Sequence, residues 1–209
     1  MTLWIVLVLA ALVITLCVLV YRHDNTAFSQ LTGYSLFEVL GNARKKYLHR
    51  LMNRLDDVSG EHRILIDLQL PVNNKPYTVD AVLIHESGVY VIDGVTKKGW
   101  IAGNEAHQEW IEVQPKGEKR AFPNPIMVNK RIITTLRHLL PDIDEDVYGS
   151  VSLFSDACSF HKIEVQSLDV EVMKVKDLKG WAEQIGGEAL SKEQIERIHQ
   201  ALAGYMSFT

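Results

Sequence analysis

The 209-residue chain has only two cysteines, Cys17 and Cys158. One of them lies inside an apolar run, so no disulfide framework is available, which suits a reducing compartment. Eight histidines are scattered without a His-x3-His pair, and no CxxC occurs, so the usual zinc patterns are missing. There is no P-loop and no GxGxxG, and Gly186-Gly187 reads as a helix end. Ser87, Ser155 and Ser159 lie near His85 or His161 in sequence, but proximity alone does not make a catalytic triad. Repeats and low-complexity tracts are also absent. A further lack is local: no charged residue occurs from Leu3 to Tyr21.

That uncharged run nearly spans a hydrocarbon core of about 30 Å at about 1.5 Å per residue. A secretory signal would want a basic start and small residues before a cleavage point. Met1-Thr2 supplies no base, and Leu19-Val20-Tyr21 are large. Residues 1–22 are therefore expected to be a single transmembrane anchor. Arg22 follows the run directly, and Arg44, Lys45, Lys46, Arg50 and Arg54 come soon after. The positive-inside bias then puts the C-terminal part in the cytoplasm, on the inner membrane. Trp4 and Tyr21 stand where interfacial aromatics belong.

Residues 23–35 read as a juxtamembrane linker and residues 36–209 as one domain. The whole chain has net charge −4. From Arg22 to Leu140 there are 16 Lys/Arg and 13 Asp/Glu, and from Pro141 onward 6 and 13. A uniformly basic nucleic-acid-binding surface is thereby excluded, though a local basic face is not. Leu36, Leu40, Ala43, Tyr47, Leu48, Leu51, Met52 and Leu55 form a helical stripe. Strands follow at Ile64–Leu70, Tyr77–His85 and Val89–Asp93, the last two apolar on both faces and so central in a covered sheet. Shorter strands are expected at Gly99–Ile101 and Glu109–Val113, a helix at Ile126–Leu140, and strands near Val147–Phe154 and Asp169–Val175. Helices at Leu178–Ile185 and Ser191–Met206 close the chain, the second opened by a Ser191/Gln194 capping box.

Chemistry concentrates in two acids set in apolar strands, Asp80 in TVDAVLI and Asp93 in VYVID. Burying a carboxylate is costly unless it is paired or hydrogen-bonded. If Glu86-Ser87 is a two-residue hairpin loop, Asp80 faces Asp93 across the ladder, about 5 Å away at Cβ. A three-residue loop breaks that register. Two facing carboxylates repel unless one is protonated, a divalent metal lies between them, or backbone donors satisfy them. Paired acids on neighbouring strands can hold Mg2+, which polarises a phosphodiester and activates water. Such a site also needs a cation, and a lysine two residues after the second acid would share its face. Trp100 and Trp110 are candidates for base stacking or for core positions.

The stretch DLQLPVNNKPYTVDAVLIHESGVYVIDGVTKKGWIAGNE, followed by FPNPIMVNKRI, resembles the nuclease-related domain family. That family is similar to restriction-endonuclease-like PD-(D/E)XK nucleases. The resemblance runs from about Arg44 to the C-terminus. It implies an α/β fold, with a central mixed β-sheet flanked by helices, here preceded by one transmembrane helix. Asp80 matches the family aspartate, and Asp93 stands where the family has glutamate. The family's first acid falls at or beside Lys45, its lysine at Val95, and its glutamine after the NP motif at Val128. Lys97 shares the parity of Asp93 if the strand continues, and a bulge at Gly94 favours Lys98 instead. Loss of general acid–base help costs roughly 10²–10⁴ in rate. The expectation is thus a weakened or inactive domain that binds nucleic acid or a protein partner. Its candidate contacts to nucleic acid are Lys45, Lys97, Lys98 and Trp100. The alternatives are a Mg2+-dependent nuclease using Asp80 and Asp93 as metal ligands with Lys97 or Lys98, and a structural subunit of a membrane complex. The lost positions favour no cofactor over Mg2+.

Overall fold

The computed structural model of the chain describes residues 2–208. Two compact units result, one running to Asn53 and including Phe208, the other comprising Arg54–Ser207.

The first unit opens with the apolar helix α1, Thr2–Asp24. The segment read as a linker folds instead into a second helix, α2, Ala27–Thr32. The Thr26 hydroxyl accepts the Ser29 N–H at its start, and Gly33 closes it in the left-handed region, φ 69°. The expected continuous stripe is two helices, α3 at Leu36–Gly41 and α4 at Ala43–Leu55. The break falls at Asn42, extended at φ −124° and ψ 120°, whose side chain accepts the Lys45 N–H at 3.1 Å. Gly41 is a poor helix former and asparagine a strong N-cap, so the local chemistry overrides the apolar period. Ser35 and Glu38 form a capping box on α3.

The second unit contains nine strands, and they form two sheets rather than the single central sheet expected. The first has β1 (His62–Val72), β2 (Lys75–His85), β3 (Gly88–Val95), β7 (Tyr148–Phe154) and β9 (Val170–Lys174), in the order β1-β2-β3-β7-β9. β1, β2 and β3 are antiparallel neighbours, and β3, β7 and β9 are parallel. Asn73 and Asn74, at φ 50° and 60°, make the tight turn between β1 and β2. The second sheet has β4 (Trp100–Asn104), β5 (Glu109–Val113), β6 (Lys119–Pro123) and β8 (Ser159–Glu164), ordered β6-β5-β4-β8. β6 and β8 carry few inward apolar residues, which is why no alternation announced them.

Helix α5, Pro125–Leu139, packs against β1, β3 and β7. Arg137 lies over the Tyr148 ring at 5.6 Å, and Ile126 joins Phe154 and Val170 in one core cluster. Alternation along β7 and its register with β3 then place Tyr148, Ser150, Ser152 and Asp93 on the face that α5 covers. Helix α6, Leu178–Ala182, meets Tyr90 edge-on through Trp181 at 5.3 Å. Helix α7, Lys192–Ala203, packs on β1 and β2 and starts at the expected Ser191/Gln194 capping box. It stops before Met206, which bridges to Leu68 instead.

The FPNP segment has a structural task. Asn124 is buried, and its amide donates to the carbonyls of Glu105 and His107 at 2.9 and 2.7 Å. Its Oδ1 caps α5 at Ile126 N–H, and Pro125 takes the first helical turn, where its missing N–H is harmless. Glu105 accepts from Lys130 at 2.8 Å, from Gln166 and Ser167 N–H at 2.9 and 3.0 Å, and from the Ser167 hydroxyl.

Within the second sheet, Gly103 on β4 lies under Trp110 on β5. A Cβ on Gly103 would come within 2.1 Å of the indole. Gly103→Ala should therefore lower stability by about 1–3 kcal/mol, whereas Gly186→Ala, with open space around it, should not. Urea-unfolding midpoints compare the two.

The Lys130 ammonium, then the Ser167 hydroxyl and two backbone N–H groups, hold the Glu105 carboxyl down at about 2, from 4.5. A depressed carboxylate contributes stability that is present above its unfolded value and is lost as pH falls through its folded value. Glu105→Gln should flatten that loss, read as urea midpoints from neutral pH down to about pH 3.

Candidate functional site

The β2–β3 turn consists of Glu86 and Ser87 alone, with His85 opposite Gly88. The ladder runs on to Ala81 opposite Ile92, which brings Asp80 and Asp93 to facing positions. There the backbone pairing gives way to the carboxylates. Asp80 N–H donates to Asp93 Oδ1 at 3.4 Å, and Gly94 N–H donates to Asp80 Oδ2 at 2.9 Å. The Tyr77 hydroxyl donates to Asp93 Oδ2 at 2.7 Å. Asp80 is only 4% exposed. Burial first, and the Asp93 charge second, push the Tyr77 hydroxyl upward, so it remains a donor across the physiological range.

The lysines take other places. β3 holds its register with β7 through Gly94 and Val95 without a bulge, and the chain then turns, with Lys97 N–H on Val95 C=O at 3.0 Å. Strand parity therefore does not extend to Lys97. Its ammonium lies 3.8 Å from Glu112 Oε2 and 4.8 Å from the Phe122 ring centroid. Glu112 Oε1 also accepts the backbone N–H groups of Lys98 and Gly99, at 3.0 and 3.2 Å. Glu112 is 5% exposed. The Lys98 and Gly99 N–H groups and the Lys97 charge hold its carboxyl below the ordinary range, against the opposing effect of burial. Val95 packs at the edge of the cluster formed by Trp110, Phe122 and Phe154.

Glu112 escaped the sequence reading. The available signal was its position two residues after Trp110 in EWIEV, on the buried side of a short strand. Trp110 is fully buried, whereas Trp100 is 62% exposed and stacks on His161, with centroids 6.2 Å apart and planes 22° apart. Lys45 belongs to the first unit, where its ammonium meets Glu38 at 2.7 Å and lies 3.6 Å from the Tyr34 ring centroid. Exposed Lys98 immediately precedes Gly99 and Trp100.

Beside Asp93, on the same sheet face, register places Ser152. Its hydroxyl, that of Ser150 and both amide atoms of Asn129 on α5 are buried without a protein hydrogen-bond partner. Each such group costs about 1–3 kcal/mol unless water or an ion serves it. Carboxylate and hydroxyl oxygens are the donors a hard cation such as Mg2+ takes. Among the described residues, however, no three His, Cys, Asp or Glu side chains converge on one point.

The model for the nuclease-related domain matches residues 41–168. The chain belongs to the nuclease-related domain family. An uncharacterized protein of Bacillus anthracis, pXO1-01, is 24% identical over 163 residues, covering 78% of this chain and 74% of its own length. No solved structure matches the chain. The matched span of the nuclease-related domain contains Asp80, Asp93, Lys97 and Glu112, and also the Asn124 cap.

Glu112→Gln removes the charge that holds Lys97 while keeping the size of the side chain. We expect a loss of about 1–3 kcal/mol in urea unfolding at neutral pH. The difference from wild type should shrink at acid pH, because the wild-type contribution is lost as pH falls through the depressed value.

Proposed function

We propose that this protein is a membrane-anchored nuclease-related module that binds nucleic acid and has lost most or all of its capacity to cut it. The observation that carries the reading is the place of Lys97. Its ammonium lies on buried Glu112, and the position two residues after Asp93 is Val95, packed on an aromatic cluster. The acid pair is satisfied internally by Tyr77 and by the N–H groups of Asp80 and Gly94. Without an activating cation, the pair retains the form of a nuclease site and little of its chemistry. Exposed Trp100 on His161, with Lys98 beside it in sequence, offers a stacking contact for a base. A protein partner in a membrane complex is the competing role for the same domain.

A second reading, a working Mg2+-dependent nuclease, draws on Ser152 and Asn129, whose unpartnered oxygens lie on the same sheet face as Asp93 or on the helix covering it. In that reading Asp80 and Asp93 hold the metal, and Lys97 leaves Glu112 to reach the water. The full-length protein, in detergent, is incubated with DNA and RNA in Mg2+ or Mn2+. We expect retention of nucleic acid in a gel shift at low salt and no cleavage, in wild type and in Glu112→Gln alike. Cleavage that disappears in Asp80→Ala establishes the second reading. A protein that neither cuts nor retains nucleic acid and that co-purifies with a membrane partner is a structural subunit.

Anchoring rests on α1, long and apolar enough to cross a bilayer and exposed from Leu3 to Leu19. The cations after it favour a cytoplasmic C-terminal domain at the inner membrane. A signal sequence satisfies the same length and composition. Carbonate extraction followed by mass determination separates the two. An anchored protein stays in the membrane pellet with its first residues intact, and a processed one does not.

A further inference from the structure

The unit that carries α1 presents a second apolar surface. α3 packs against α1. The His23 ring donates through Nε2 to the Tyr34 carbonyl at 2.9 Å, just beyond the end of the uncharged run at Tyr21. The start of α3 is thereby held level with that end. At six residues, α3 is about 9 Å long, so no part of it lies farther than about that from the same level. Val39 turns inward, while Phe37 is 62% and Leu40 59% exposed. Three residues apart on a helix, these two share one face.

Charge in this unit has one dominant sign. Up to Asn53 there are five Lys/Arg against two Asp/Glu, a net +3, while the rest of the chain, with 17 against 24, carries −7. Glu38 is already bonded to Lys45, and Arg22, Lys46 and Arg50 are exposed. Exposed large apolar side chains in a unit with an excess of exposed cations, beside a helix read as a membrane span, match the chemistry of the headgroup layer of an anionic leaflet.

We infer that α3 is an interfacial collar, with Phe37 and Leu40 inserted at the acyl boundary and Arg22, Lys46 and Arg50 on the phosphates of anionic phospholipid. The inference rests on reading α1 as a span. Its test uses the full chain in phosphatidylcholine vesicles with and without phosphatidylglycerol. An environment-sensitive fluorophore is placed on Phe37→Cys or Leu40→Cys in a Cys17→Ser background, Cys158 being buried. Glu109→Cys in the same background serves as the exposed control. Native Cys17, labelled in the otherwise wild-type chain, reports whether α1 is in the bilayer.

At positions 37 and 40 the emission should shift to the blue and lose most of its intensity to a headgroup-level nitroxide lipid, more so with phosphatidylglycerol. The control should do neither. Positions 37 and 40 behaving like the control while Cys17 is quenched by a deep nitroxide lipid overturns the collar alone. An unquenched Cys17 overturns the span, and the collar with it. Equal quenching without phosphatidylglycerol overturns the role given to the cations.

Discussion

Trp110 lies nearly parallel to Phe154, with centroids 5.9 Å apart and planes 12° apart, and this contact joins the two sheets of the larger unit. Phe122 meets the indole edge-on, and the indole N–H donates to the Asn104 carbonyl at 3.0 Å. Such a pair adds roughly 0.5–1.5 kcal/mol beyond its buried area. It also dictates geometry. Once Trp110 faces inward, strand alternation makes Glu112 face inward too, toward the turn that follows β3. A buried carboxylate must find donors, and the nearest are the N–H groups of Lys98 and Gly99 and the ammonium of Lys97. The position of Lys97 is a consequence of how the sheets are joined.

The acid pair shows the same requirement met in another way. Asp80 and Asp93 face each other because the preceding turn has two residues, and each accepts from the other's neighbourhood: Asp93 from Asp80 N–H, Asp80 from Gly94 N–H. Tyr77 supplies a further donor. Donors from the chain itself thus reach both carboxylates. Membership of the nuclease-related domain family speaks to the fold, and activity depends on the groups present at the site. Here the aliphatic Val95 stands two residues after Asp93, and Lys97 serves another acid, Glu112.

Much of the fold was legible because it is written in local chemistry. The Asn73-Asn74 and Glu86-Ser87 turns, the Ser191/Gln194 capping box and the apolar runs of β2 and β3 each depend on residues close in sequence. The break at Asn42 was also local, but the apolar stripe across it masked it. β6 and β8 were not legible. KRAFP and SFHKIE show no sustained alternation, and only pairing to β5 and β4 makes strands of them. Glu112 was passed over because a single acid in a five-residue strand does not declare which way it faces.

Two things followed from the sequence by itself: an uncharged helix long enough to span a bilayer, and the facing of Asp80 and Asp93. Both rest on fixed periods, 1.5 Å per residue in a helix and two residues per repeat in a strand. What surrounds the acid pair was decided by the tertiary structure alone. Lys97 lies four residues after Asp93 and fifteen before Glu112, so sequence distance alone would favour Asp93. The stacking of Trp110 on Phe154 decided otherwise, because it carried Glu112 to the end of β3 and buried it there, where leaving its charge unpaired would be costly.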